Sequence, residues 1–281
     1  MADYLYQSRG VQCSAEQIVI GAGTQYLTSL ICYMMGKQAS YGLEEPGYHY
    51  ARYVFENSGG EIKPILLDEK GISILQLKQS GAKVAYVTPS HQFPLGTIMP
   101  ISRRMELIEW ARQENGFIIE DDYDGEFRYE GKPIPSLQGL DNKGRVIYMG
   151  TFSKSLIPSI HLSYMVLPST LLTRYKANFT VYQQTVSRIH QHSLMLFMES
   201  GGWERHINKL RNVYKKKHSA LLNAIKNIMD EHVKIIGAGA GLHILLEPNN
   251  KMSEKELIES AKKWELKYIL CQSIMKIQVP I

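Results

Sequence analysis

Short runs of consecutive apolar, often β-branched residues recur along the first two-thirds of the chain, and apolar positions return at helical spacing between them. Runs at 18–20, 62–67, 84–88, 117–119, 146–149 and 164–167 predict strands. Most are apolar at consecutive rather than alternate positions, as in strands buried on both faces, so the sheet is expected to be largely parallel and covered by helices. Pro64 cannot donate to a ladder, which puts the second run at an edge. Segments 24–35, 47–57, 74–79 and 101–113 predict helices, with Pro46 and Pro100 near two of their starts, where a missing N–H costs little. The result is a βα series.

After Pro168 the spacing changes to that of long helices. Trp203, Ile207, Leu210 and Val213 fall on one stripe, read as core packing, with His206, Lys209 and Lys216 on the polar side. The Gly-rich turn GAGAG at 237–241 precedes an alternating LHILLEP. A helix with Ser253 as N-cap and Glu256 as its capping-box partner follows. These features divide the chain into a large α/β domain, residues 1–232, and a smaller α+β unit, residues 233–281. The last stretch, LKYILCQSIMKIQVPI, starts like a strand and stops, leaving the small unit incomplete.

Composition narrows the class. At 281 residues, 44% apolar and 21% charged, the chain can bury a large core. The net charge of +5 is spread along the sequence apart from Lys215, Lys216 and Lys217, which read as a solvated helix face rather than a nucleic-acid patch. Cys13, Cys32 and Cys271 show no paired metal spacing, which suits a reduced, cytoplasmic setting. MADYLYQSRG is not a leader, and no apolar run approaches the ~18 residues of a membrane helix.

Three motifs carry candidate chemistry. GAGTQ at 21–25 lies between a strand and a helix, where backbone N–H groups and Thr24 can cradle a phosphate, although a plain tight turn reads the same way. IIEDDYDGEF at 118–127 ends a buried strand in several carboxylates, at the edge where open α/β sheets bind ligands; a Mg²⁺ site and an acidic capping loop are alternatives. Like charges this close push pKa values apart unless a cation sits among them. Lys154, in GTFSKSLIPS, sits among Thr151, Ser153 and Ser155 after an apolar strand, a place to desolvate an ammonium for Schiff-base chemistry or simply to let a lysine snorkel. Together an anion cradle, a strand-end acid and a Schiff-base lysine are the three parts that pyridoxal 5'-phosphate needs.

EDDYDGEFRYEGKPIPSLQGLD, TPSHQFPLG and GTFSKSLIPS closely resemble the aminotransferase-like domain of the MocR/GabR-type bacterial transcription regulators, which are related to class I/II aminotransferases; the likeness spans about residues 9–266. The resemblance implies a fold-type-I pyridoxal-phosphate transferase, normally a homodimer with sites at the subunit interface. Lys154 looks like the lysine that holds the cofactor, Asp121 like the partner of its pyridine nitrogen, and Tyr123 like the tyrosine near its phenolic oxygen. Tyr48 matches the aromatic residue that stacks on the ring, and His91 lies close to the ring in the family pattern. Gly23, Thr24 and Gln25, with Thr151 and Ser153, match the phosphate cup. Asp122, Asp124 and Glu126 are then loop braces, and no metal is expected.

Departures from the family pattern weaken the clamps. His161 stands where the regulators carry a phosphate-binding arginine, exchanging a bidentate, always charged group for a single donor. Tyr50 stands where a relative has an arginine for a substrate carboxylate, and Arg52 is expected to point elsewhere on the helix. The segment with a further carboxylate-binding arginine and the winged-helix DNA-binding domain are both missing from this sequence, so direct nucleic-acid binding is not expected. Three readings follow: transamination of a small amino compound, non-catalytic sensing of an amino-acid-like ligand, or a decayed product that folds poorly.

Overall fold

The computed structural model describes residues 1–129, 134–182, 184–250 and 252–263. Strands β1 (Ile18–Ala22), β2 (Ser40–Glu45), β3 (Glu61–Asp68), β4 (Gly71–Ile72), β5 (Val84–Val87), β6 (Phe117–Asp122), β7 (Val146–Thr151) and β8 (Leu162–Val166) form one eight-stranded sheet in the order β1-β8-β7-β6-β5-β2-β3-β4. From β7 through β3 the neighbours pair in parallel. Only β8, antiparallel to both β7 and β1, and the short β4 run the other way.

Pro64 sits where its missing N–H does no harm. It pairs with Leu43 of β2 on one side, while β4 covers only Leu67 and Asp68 on the other. The central strand β2 is the element that the apolar pattern misses. Its sequence, SYGLEE, carries a glycine and two acids, yet five of its six residues are buried. Tertiary contacts make this tolerable: Glu44 accepts hydrogen bonds from Thr88 N–H at 3.1 Å and its hydroxyl at 2.9 Å, and Glu45 pairs with Arg52.

Consecutive apolar residues serve opposite faces because side chains alternate along a strand. Ile118 and Val146 join the core on one face with Leu77 of α4 (Ile74–Ser80) and with Leu107 and Trp110 of α5 (Ile101–Gln113). Ile119 and Ile147, one residue further on, face Leu27 and Ile31 of α2 (Gly23–Met35), Phe55 of α3 (His49–Asn57) and Leu171 of α7 (Ser169–Asn178). A third cluster sets Leu5 of α1 (Ala2–Arg9), Leu194 of α8 (Arg188–Glu199) and Trp203 and Ile207 of α9 (Gly202–Met229) around Tyr148, Phe152 and Tyr164. Burying side chains of this size contributes about 1.5–3 kcal/mol each. The short α6 (Leu137–Leu140) adds Leu137 to the core beside α5.

The stripe on α9 is buried only at its start. Trp203 and Ile207 are enclosed, whereas Val213, further along the 28-residue helix, is exposed. His206 does not belong to the solvent face either: its Nε2–H donates to the Ser155 carbonyl at 2.8 Å. Strands β9 (Val233–Ile236) and β10 (Leu245–Pro248) make a separate antiparallel pair, followed by α10 (Glu254–Lys263). The capping box forms as expected, with Ser253 N–H donating to Glu256 at 2.7 Å and Glu256 N–H to Ser253 Oγ at 3.4 Å. The final strand-like stretch and Cys271 lie outside the described residues. Among the described residues no helix is long and apolar enough to cross a membrane.

Candidate functional site

Strands β1, β7, β6, β5 and β2 all point one way, so their carboxyl ends meet along one edge, where they are joined by the amino end of the reversed β8. A cavity of about 280 Å³ opens there. Every residue expected to hold the cofactor lines it except His91: Gly23, Thr24 and Gln25 at the start of α2, Tyr48 before α3, Asp121 near the end of β6 and Tyr123 just after it, Thr151 at the end of β7 with Ser153 and Lys154 following, and His161 before β8. Residues separated by up to 138 positions are brought together by strand order alone.

The loop that presents Lys154 is anchored on both sides. Phe152 is buried against Trp203 and Tyr164, with ring centroids 5.2 and 5.4 Å away, and its N–H donates to Leu162 O at 2.9 Å. Ser155 is held by His206. Ser163 Oγ donates to Thr151 Oγ1 at 2.9 Å, and Ser153 N–H donates to the same oxygen at 3.2 Å, so the hydroxyls form one polar wall. The lysine itself is exposed, which corrects the expectation of a desolvated ammonium: it stands at the cavity, open to water. His161, also exposed, is one of the few non-glycine residues with a left-handed backbone, at φ 43°.

The carboxylates of β6 and the loop after it are separated by partner. Burial by itself raises Asp122, but the Arg9 guanidinium at 2.5 Å and the Tyr148 hydroxyl at 2.7 Å outweigh it and hold that carboxyl below its usual value. Asp121 has no basic side chain beside it among the described residues. Burial pushes it up to about 7, and Asp122 and Asp124 add repulsion against the single hydrogen bond that Tyr86 donates to Oδ2 at 2.5 Å. Oδ1 of Asp121 is buried without a partner. Glu120 accepts the N–H groups of Leu137 and Gln138 at 2.9 and 3.0 Å, and Glu126 accepts from the Tyr4 hydroxyl at 3.2 Å. Asp122, Asp124 and Glu126 thus brace the loop, as the family resemblance implied.

His91 departs from the expected place beside the cavity. It lies behind Tyr123, whose hydroxyl donates to the His91 carbonyl at 2.9 Å, and its Nδ1–H donates to Asp124 at 2.9 Å. His91, Asp124 and His243 bring ligand-type atoms within 4.8 Å of one another. The backbone of Gly241 presses on His91, however, so that a Cβ there would lie 1.9 Å from Nδ1, and Nδ1 already serves Asp124. That arrangement suits a packed hydrogen-bonded pair better than an ion.

The expectation that Arg52 points away from position 50 holds in the fold, where it turns inward to Glu45; Tyr50 is exposed. The cavity also includes Thr88, Phe93, Pro158 and Ser163, which are not among the expected site residues. Thr88 ends a predicted strand, and Phe93 lies within TPSHQFPLG, so both carried a legible signal; Tyr86, which reaches Asp121 from the neighbouring strand, carried none.

Residues 1–264 match the family described as aminotransferase class I and II. The HTH-type transcriptional regulator YdeL of Bacillus subtilis (strain 168), itself uncharacterized, is 52% identical over 267 residues, covering 95% of this chain and 58% of that protein. The probable rhizopine catabolism regulatory protein MocR of Rhizobium meliloti is 30% identical over 263 residues, covering 93% and 53%. The chain thus spans a little over half the length of the regulators it matches. The crystal structure of Pyrococcus horikoshii kynurenine aminotransferase with PMP superposes with a TM-score of 0.85 at 28% identity, over 98% of this chain and 70% of that one. Sheet order, site and likeness agree: the chain belongs to the class I and II aminotransferase family, has the fold-type-I aminotransferase fold, and corresponds to the aminotransferase-like region of MocR-type regulators.

Proposed function

We propose that the chain binds pyridoxal 5'-phosphate at the carboxyl edge of the sheet and uses it to take up a small primary amine. The observation that carries this reading is the bare, buried Oδ1 of Asp121 in a cavity that also receives Lys154 and the amino end of α2. A buried carboxyl raised to about 7 lacks a cationic partner, and a protonated pyridine nitrogen has the charge and the single N–H to supply one. The N-terminal N–H groups of the 13-residue α2, with the hydroxyls of Thr24, Thr151 and Ser153, suit a phosphate. When bound, the cofactor supplies an aldehyde that condenses with amines and a ring that withdraws electrons. Lys154 would hold the cofactor through its ε-amino group and, when that amine is free, would take and return a proton at the substrate carbon bearing nitrogen. Asp121 would keep the ring nitrogen protonated, and Tyr48, which lines the same cavity, would lie against the ring.

A ligand-responsive rather than fast-turnover domain is favoured by one feature. Arg52 is spent on Glu45 and Tyr50 points to water, so this segment offers no guanidinium to clamp a substrate carboxylate. A homodimer fits the same reading, since Tyr50, Tyr53 and Ile157 are exposed aromatic and aliphatic groups.

The test is reductive trapping. Protein mixed with pyridoxal phosphate and treated with borohydride should carry the adduct on Lys154 in a peptide map, and Lys154→Ala should carry none; an adduct confined to other lysines, or none at all, rejects the proposal. Amine addition before reduction then separates turnover, which yields free pyridoxamine phosphate and a carbonyl product, from sensing, which does not.

A further inference from the structure

Tyr123 is held by residues far from it in sequence. Its hydroxyl donates to the His91 carbonyl at 2.9 Å and lies 3.1 Å from His91 Nδ1. Nδ1 is 2.9 Å from Asp124 Oδ2, and that oxygen also accepts the N–H of Leu242 at 3.3 Å. Turn 237–243 closes over the imidazole. A Cβ at Gly241 would lie 1.9 Å from Nδ1 and one at Gly96, which packs on Gly237, 3.1 Å from Nε2. The His243 ring sits 4.4 Å from that of His91, steered by its own Nε2–H to the Pro94 carbonyl at 3.1 Å. The same turn is laced to the chain just beyond Tyr123: Gly241 N–H donates to Phe127 O at 2.7 Å, Tyr129 N–H to Gly239 O at 3.1 Å, and Arg128 bridges Ala240.

We propose that turn 237–243 is a clamp that positions Tyr123 through Asp124 and His91, so that its docking sets whether the phenol proton points at His91 or into the cavity. A tyrosine hydroxyl has one proton, and donating it to His91 excludes donating it to a ligand. Asp124 Oδ2, which also takes the Leu242 N–H, is the acceptor beside His91 Nδ1, and the His91 backbone carbonyl is the acceptor nearest the phenol. His243 extends the clamp to the cavity wall through Phe93, 5.7 Å away. The inference rests on the cofactor reading above for its consequence, the tuning of the bound ring, but not for its geometry.

The experiment compares the parent, Asp124→Asn and His243→Gln, with Tyr123→Phe as reference. In cofactor-free protein labelled at tyrosine ¹³Cζ, the resonance absent from Tyr123→Phe belongs to Tyr123 and should move in both clamp variants. After addition of pyridoxal phosphate, the titration midpoint of the visible band should shift in both, in the direction that Tyr123→Phe shifts it, by about one unit, which is tenfold in proton affinity. A Tyr123 resonance at its parental position in either folded variant overturns the clamp, as does a parental midpoint where Tyr123→Phe moves it. If the parent develops no visible band, the cofactor reading falls while the carbon resonance still decides the clamp.

Discussion

Replacing Asp121 by asparagine should make the cofactor-free protein more resistant to denaturant at alkaline pH while weakening its grip on pyridoxal phosphate. In the fold the carboxyl titrates near 7 because burial outweighs the hydrogen bond from Tyr86, against 3.8 for an ordinary aspartate. The difference of about 3 units corresponds to roughly 4 kcal/mol. Its sign follows from proton counting. Between pH 4 and 7 the unfolded chain has lost this proton and the native one keeps it, so the contribution is fully present below pH 4 and is lost as pH rises through 7. Asparagine removes the titration, keeps an oxygen for Tyr86, and leaves a buried NH₂ where Oδ1 was, at a cost of about 1–3 kcal/mol. From pH 5 to pH 8 the gap should grow in favour of the variant by about 2 units, or about 3 kcal/mol. Urea unfolding followed by tryptophan fluorescence at the two pH values measures it. With cofactor present the order should reverse, the variant losing a charge-assisted contact of about 1.5–3 kcal/mol, or ten- to a hundredfold in affinity. A gap that stays constant with pH refutes the reasoning, because it means that Asp121 already has its countercharge.

Arg9→Met strips the cation from buried Asp122 and should cost about 3–5 kcal/mol in urea unfolding; because Arg9 holds Asp122 below its usual value, the loss is full above pH 4 and shrinks as the carboxyl protonates at lower pH, and an undiminished loss in acid counts against the pair. His161→Arg adds a bidentate cation at the cavity and should tighten pyridoxal phosphate about tenfold in equilibrium dialysis; unchanged binding removes position 161 from the phosphate site. Phe152→Ala empties the anchor of the Lys154 loop, with an expected loss of about 3–5 kcal/mol in thermal or denaturant unfolding and slower borohydride trapping at Lys154; trapping at the parental rate separates the anchor from the lysine's placement.

Local chemistry made much of this protein legible in one dimension. The double-faced strands followed from consecutive apolar residues, the capping box at Ser253 from its spacing, and Thr24, the strand-end acid and Lys154 from motifs in which a strand ends in a phosphate-friendly turn, an acid or a lysine, whereas Tyr48, Tyr123, Gln25 and His161 came only through the family resemblance. What stayed hidden depended on neighbours distant in sequence. Strand β2 carries Gly42, Glu44 and Glu45 and announces no strand; it becomes one because Thr88 and Arg52 satisfy its acids between two other strands.

The division at the site is sharper. Which side chains could serve was written in residue type, since a lysine, an acid and hydroxyls keep their chemistry in any fold. Which acid stands without a cation, that Lys154 faces water rather than a dry pocket, and that His91 backs Tyr123 instead of the cavity were settled only when the sheet brought Arg9, Tyr86 and turn 237–243 against them. Charge balance and burial are sums over neighbours in space, and a linear string does not state who those neighbours are.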